Sequence, residues 1–430
     1  MFMQHTRGEA VRQREAHDAH DAHDAHPAQE ASICVPLDLP GLRVVSQRRT
    51  AQGELEVTVI GAVERASCPR CGRLCVKRHD VRSRRKRDVT LGAFPVILIL
   101  RKRRFRCFSC QQVFTEADSA CGWRRRTTAR LRETLGEQAQ SRPVAQVAAA
   151  YHVGPRLVRA CLAAVVEQQL RADGRSLAET SALPTPRYLG IDEFARRKGQ
   201  RYDTILCDLE GRRVLEVSAG RTQAEVVRLL ERLDDPERVE AVSMDMSASF
   251  REAVRLCLPR AQIVADHFHV VQHVGKALAR VVRRCAHTVD GRTALRGQRH
   301  LFVRRREALE PAEEQTRARL AAAFPELAVA WQAKEDLRAW YASATAQTAA
   351  AGLDAWIAAV VQTGPDELRR ALSAFRTWRD EILAFFAFLP VRVSNGFVEG
   401  KNNRTKTLMR QAYGYRNRRS LRARILGGAA

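Results

Sequence analysis

The chain has 430 residues, and its 73 lysines and arginines against 48 aspartates and glutamates leave a net charge of +25. That length allows several domains and a sizeable core, and that charge points to a polyanionic partner, nucleic acid before a membrane. No apolar run approaches the ~20 residues needed to span a bilayer, the N-terminus lacks an apolar signal core, and eleven cysteines, four of them in CxxC pairs, favour reduced thiols and a metal site over disulfides, so the expected setting is the cytoplasm.

Residues 1–33 are polar and low in complexity, with His17, His20, His23 and His26 spaced three apart. Too few large apolar residues are present to order this segment, so it reads as a disordered His/Asp-rich tail, with a metal-binding tract as the alternative. Residues 34–120 read as a β region and zinc ribbon. The apolar-rich stretch 42–63 predicts a hairpin. Cys68-Pro-Arg-Cys71 and Cys107-Phe-Ser-Cys110 form two knuckles. Four thiolates at tetrahedral reach are what structural Zn²⁺ takes, with Cys75 and Cys121 as possible substitutes. The long gap between the knuckles holds its own strand at 94–101. Residues 65–130 contain 19 basic and 4 acidic side chains. The runs RSRRKR and RKRRFR flank that strand, so the ribbon is expected to lie on DNA backbone through Arg103 and Arg104. A solvated charged face is the bland alternative.

Residues 121–180 are helical, and PVAQVAAAYHVGPRLVRACLAAV fits a helix-turn-helix. Val144, Val147 and Ala148 face inward, and His152-Val153-Gly154 makes the turn. Pro155 then starts a second helix with Leu157, Val158 and Cys161 inward. Arg156 and Arg159 are left facing outward near the end that would enter a major groove. A plain helical hairpin is the competing reading. SALPTP, at 181–186, reads as a linker.

From Arg187 the pattern changes. Three strands, a helix, a strand, a helix, a strand and a helix follow over residues 187–285, the order of a ribonuclease-H-like core with a mixed sheet and flanking helices. Residues 286–389 are helical and carry four tryptophans, which read as packing rather than as a base-stacking platform. In 390–430 a last helix is predicted after Pro390, capped by Ser394 or Asn395. It brings Asn395, Glu399, Asn402, Asn403 and Lys406 onto one face. An acid-free basic tail ends the chain.

In such a sheet the ends of the first and fourth strands are neighbours, so Asp192 and Asp245 are expected side by side. A later helix can add Glu399. Three carboxylates can anchor two hard divalent cations for phosphoryl transfer. Lys401, Asn402, Lys406 and Arg410 are candidates for phosphate contacts. Glu193 alternates to the opposite face and is expected outside the site. Asp266, ending the fifth strand, and His269 are candidate accessory groups, although a strand-end histidine is more often structural.

The knuckles CPRCG and CFSC and three long blocks carry a resemblance. The blocks are YLGIDEFARRKGQRYDTILCDLEG, SMDMSASFREAVRLCLPRAQIVADHFHVVQHV and SNGFVEGKNNRTKTLMRQAYGYRNRRSLRARIL. Together they resemble the ISL-three family of bacterial insertion-sequence transposases, of the DDE class. The resemblance implies Asp192, Asp245 and Glu399 as catalytic acids, and Mg²⁺, with Mn²⁺ as substitute, as their cofactor. It implies double-stranded DNA partners, transposon ends and target, and a homo-oligomer working on DNA. His267 stands where the family carries arginine, and the histidine repeat matches nothing in it. The competing readings are a regulator whose core no longer reacts and a stand-alone RNase H-like nuclease.

Overall fold

The computed structural model describes residues 39–428 apart from Ser119, Trp123, Arg124, Lys198, Val289, Gly414 and Arg416. The histidine-rich stretch at 1–33 lies outside the described residues. Alternating β-branched and charged residues build the first sheet, with β1 (Leu42–Arg49) and β2 (Leu55–Gly61) forming the expected hairpin. Two short strands, β3 (Ala66–Ser67) and β4 (Leu74–Cys75), pair around the first knuckle. The strand expected at 94–101 is longer, β6 (Val96–Arg106), and lies between β2, to which it is parallel, and β5 (Arg78–Arg87). Both basic runs are therefore strand residues. A short β7 (Val113–Thr115) completes this mixed sheet on β6.

Three helices follow: α1 (Ala129–Ser141), α2 (Val144–Ala150) and α3 (Pro155–Ala172). Thr128 caps α1 by accepting from the Leu131 N–H, and its hydroxyl donates to Asp88 at 2.6 Å, which ties the helix start to the first sheet. Leu131, Leu135, Val147, Ala148, Val158 and Cys161 form their common core. His152, at φ 51°, makes the turn between α2 and α3. The segment expected to be a linker is anchored: Leu183 is buried, and Thr185 donates to Asp234.

The second sheet is built from β8 (Tyr188–Arg197), β9 (Arg201–Asp208), β10 (Arg213–Ala219), β11 (Ala241–Met244) and β12 (Gln262–Ala265). Its order is β10-β9-β8-β11-β12, with β9 antiparallel to both neighbours and β8, β11 and β12 parallel. Strand periodicity splits its side chains between two cores. Leu189, Ile191, Leu206, Leu215, Val242 and Met244 pack towards α4 (Gln223–Leu230), α5 (Ala248–Cys257) and α6 (His267–Ala286). Phe194, Ile205, Cys207, Val214 and Val217 pack on the other face, against Val398 and Met409 of α14 (Gly396–Gln411) and Leu421 and Ile425 of α15 (Arg418–Gly427).

Between α6 and α14 the chain runs through α7 (Gly291–Ala294), α8 (Arg299–Val303), α9 (Pro311–Ala323), α10 (Pro325–Ser343), α11 (Ala349–Thr363), α12 (Asp366–Thr377) and α13 (Arg379–Ala387). Helices α10 and α12 rest on α6, and α13 rests on β12. Trp331, Trp340, Trp356 and Trp378 are buried there, as their reading as packing residues required. The expected basic tail is instead an internal helix. Arg422 is buried and bidentate to Glu216 at 2.6 Å through both nitrogens, while Arg424 donates to the Gln140 carbonyl. Helix α15 thus packs on both α3 and β10, and Ala423 belongs to the three-helix core. Among the described residues no helix is long and apolar enough to cross a membrane.

Candidate active site

The parallel register of β8, β11 and β12 sets the site. Ile191 is paired with Met244, and Met244 with Ala265. The next residue on each strand is an aspartate, so Asp192, Asp245 and Asp266 fall in one row across the sheet. Asp192 is not at a strand end, because β8 runs on to Arg197 as a hairpin with β9. It sits where β11 stops. Asp192 shares the face of Phe194, towards α14, and Glu193 points away to pair with Arg221 at 2.6 Å.

Helix α14 closes the row. Asn395 is its N-cap, yet the side chain does not cap: its amide donates to the Ile191 carbonyl at 3.0 Å, and its backbone N–H donates to Asp266 at 2.9 Å. One helical turn on, Glu399 reaches the cluster, and Asn402, buried, donates to Asp192 Oδ2 at 2.6 Å. Such close approach of helix to strand depends on Gly190. A Cβ there would lie 2.6 Å from Val398 Cγ2 and 3.1 Å from Asn395 Oδ1.

His269, on the first turn of α6, lies among the acids. Its Nδ1 is 2.5 Å from Asp245, 3.1 Å from Asp266 and 3.9 Å from Glu399. Burial opposes its charge, but the hydrogen bonds to Asp245 and Asp266 prevail and lift its pKa to about 10. Burial, then the neighbouring Asp245, pushes Asp192 up to about 7. Glu399 is raised for similar reasons, by burial first and then by Asp266. Asp266 goes the other way. Burial would raise it, but the His269 bond and the Asn395 N–H hold it below the usual carboxylate range. Like carboxylates crowded together and lacking solvent resist ionising together.

Among the described residues, two groups can hold a metal ion. The first is Asp266, His269 and Glu399, with ligand atoms within 4.8 Å of one another. Glu399 Oε1 is buried without a hydrogen-bond partner among the described residues. An orphaned carboxylate oxygen beside further carboxylates fits a hard divalent cation. The second group is Cys68, Cys71, Cys107 and Cys110. Their sulfurs approach to 3.5 Å for Cys68 and Cys110 and to 3.6 Å for Cys71 and Cys107. A tetrahedron with Zn–S of about 2.3 Å has edges near 3.8 Å, so the set fits structural Zn²⁺. The Cys110 N–H, foremost, draws the Cys107 thiol down to about 6. Cys75 donates instead to the Arg73 carbonyl, and Cys121 is buried in a separate cluster.

Several expected DNA contacts are corrected. Arg103 is 1% exposed, donating to Glu116 at 2.8 Å and to the Gly61 carbonyl, so it is structural. Arg104 is paired with Asp80 at 2.8 Å. Asn402 is turned inward to Asp192 and faces no solvent phosphate. Arg156, Lys406 and Arg410 are exposed, while Arg159 and Lys401 are half-buried. Lys406 lies near enough to Glu399 to hold its pKa down against burial. Asn403, expected on the same face, is exposed. Sequence reasoning missed Asn395 as a brace and Asn402 as a partner of Asp192. The i, i+4, i+7 spacing of Asn395, Glu399 and Asn402 was the available signal.

Comparison with known proteins agrees with this arrangement. Residues 189–425 match a family described as transposase, and residues 64–110 match the zinc-finger of transposase IS204/IS1001/IS1096/IS1165. The chain is 28% identical over 362 residues to the transposase for insertion sequence element IS1001 of Bordetella parapertussis, across 81% of this chain and 85% of that protein. It is 24% identical over 262 residues to the transposase for insertion sequence element IS1557 of Mycobacterium tuberculosis, across 55% of this chain and 58% of that protein. The first match runs over more than half of the chain and takes in the three aspartates, His269, both buried asparagines and Glu399; the second takes in all four knuckle cysteines. The chain therefore belongs to the ISL-three family of insertion-sequence transposases, enzymes of the DDE class.

Proposed function

We propose that Asp192, Asp245 and Glu399 are the catalytic acids of this transposase and hold two divalent cations, Mg²⁺ or Mn²⁺, with Asp266 and His269 as accessory groups. The observation that carries this reading is the row of three aspartates closed by Glu399, with Glu399 Oε1 left unpartnered. The strand order and directions of the second sheet are those of a ribonuclease-H-like core, spanning residues 187–285 and 390–430 and interrupted by the helices of 286–389. Bound cations would neutralise charge on the attacking and leaving oxygens of a DNA phosphate. The protein's part is positioning. Asn402 holds one oxygen of Asp192, so the carboxylate cannot rotate away. Asn395 ties the start of α14 to β8 and to Asp266. His269 supplies positive charge among the acids and keeps them together before DNA arrives.

Helices α2 and α3 serve as a helix-turn-helix within residues 121–180, with Arg156 at the groove and Arg159 beside it. The β region and zinc ribbon of 34–120 lie on backbone phosphates. Lys401, Lys406 and Arg410 serve DNA near the acids. Double-stranded transposon ends and target are the partners, and the working form is a homo-oligomer.

Nicking of supercoiled plasmid in Mg²⁺ or Mn²⁺ tests the reading, followed by joining of the element's ends to a second DNA. Asp192→Ala removes both while DNA binding survives. Nicking that persists in Asp192→Ala overturns the assignment of the acids. Nicking without any strand joining favours the plain nuclease, and binding without either reaction favours the inactive regulator.

A further inference from the structure

Beside the acid row lies a cavity of about 610 Å³ between α6 and the helices that follow it. This is within the roughly 300–1,000 Å³ typical of small-molecule sites. Its wall is aromatic. The His267 ring lies 5.8 Å from Tyr341 and 5.3 Å from Phe385, and Phe268 stands exposed at the edge. Its rim is cationic, with Arg299, Arg305 and Arg392 all exposed, and none of these three has a carboxylate partner among the described residues. No acidic side chain lines it. Two polar atoms inside, Tyr341 Oη and His267 Nδ1, are buried without hydrogen-bond partners among the described residues. The cavity is contiguous with the acids, since His267 both lines it and lies 3.9 Å from Asp266.

We propose that this cavity receives one nucleobase extruded from the DNA strand beside the phosphate held at the acid row. The proposal rests on the assignment of that row as the site of cleavage. Each part of the cavity answers a part of a nucleotide. Aromatic walls stack on a base whatever its identity, unpaired Tyr341 and His267 atoms meet its hydrogen-bonding edge, and the arginine rim meets the phosphates on either side. A duplex base has no other route to such a wall without leaving its stack.

The test uses the full chain and duplexes bearing the element's own terminal sequence. Each position flanking the cleaved phosphate is made abasic in turn, and cleavage rates are compared for the unaltered protein, Phe268→Ala and Arg305→Ala. With the base present, each variant cleaves at least five-fold more slowly. With the right base removed, each variant matches the unaltered protein to within two-fold. A loss of equal size on both substrates, at every position, overturns the proposal, including the case in which Phe268→Ala acts only through its neighbour His269. Photo-crosslinking adds the source of the base: 5-iodouracil in the duplex at that position attaches to Phe268 or Tyr341. Attachment only by free 5-iododeoxyuridine monophosphate overturns the DNA origin. If the unaltered protein does not cleave at all, the assignment of the acids fails. If it cleaves and Asp192→Ala does not, yet no position shows coupling, the cavity alone is misread.

Discussion

Asn402 and Asp192, 210 positions apart, are joined by a 2.6 Å hydrogen bond from the asparagine amide to the buried carboxylate. The bond fixes which Asp192 oxygen is free for another partner. Groups that orient a metal-binding carboxylate typically matter 10–100-fold in affinity or activity. Asn402→Ala is therefore expected to raise the Mg²⁺ concentration for half-maximal nicking by about that factor. Its thermal unfolding should change little. A magnesium titration of nicking checks this, and an unchanged half-saturation would refute it.

Gly190 sets how close α14 comes to β8. Gly190→Ala should push Val398 outward, since the added carbon would sit 2.6 Å from its methyl group. Small-to-large changes in packed sites cost typically 1–3 kcal/mol. We expect a loss of cleavage larger than the loss of stability, because the shift falls on the helix that carries Glu399. Combining Gly190→Ala with Val398→Ala should restore part of the activity. Absence of any recovery would mean the helix position is not the cause.

The metal-free protein should grow less stable as pH rises from about 4 to about 7. Burial, followed by Asp245, lifts Asp192 to about 7 in the fold, whereas an unfolded aspartate ionises near 3.9. In that window the unfolded chain gives up its proton and the folded one keeps it. Above pH 7 the folded protein carries the full penalty, on the order of 2–4 kcal/mol at 1.36 kcal/mol per unit. Asp192→Asn should therefore raise the melting temperature of magnesium-free protein at pH 8, and leave it nearly unchanged at pH 4. Melting curves at the two pH values decide it.

Arg422 and Glu216 form a buried ion pair, shared with Arg232 at 2.7 Å. Arg422→Met leaves Glu216 short of its main partner, and breaking a buried pair on one side costs about 3–5 kcal/mol. Burial would raise the Glu216 pKa, but Arg422 and Arg232 hold it low. The pair therefore contributes above the unfolded glutamate pKa and is lost as pH falls through the lower folded value. Denaturant midpoints of Arg422→Met and its parent should differ most near neutrality and converge in acid.

Zinc should be countable at one per chain and confined to the ribbon. Cys107→Ser is expected to lose that zinc and the order of β3 to β7, while nicking at the acid row survives and binding to the element's ends weakens. Metal analysis and a binding assay on terminal and random duplexes separate these effects.

Much of this was legible beforehand, because strand and helix periods are strong signals. The apolar strands ending in aspartate located Asp192, Asp245 and Asp266, and the paired knuckles located the ribbon. What stayed hidden depended on distance between remote segments. Nothing in the sequence says that β12 lies against the start of α14, so Asp266 and His269 were accessory there and central here. Charge also misled. In β6 the period of two puts Arg103 on the face of Phe105, and both are buried. Reading the basic run as a surface ignored that alternation. The same holds for Arg422 and Arg424, whose carboxylate and carbonyl partners come from distant elements.

The final helix carries residues of two separate interiors, Ala423 in one and Leu421 with Ile425 in the other. A chain cut just before Arg418 would keep every acid of the row and every cysteine of the ribbon. It would also lose the wedge between the half that reads an end and the half that cuts it. A frameshift that late would silence the element as thoroughly as the loss of an aspartate.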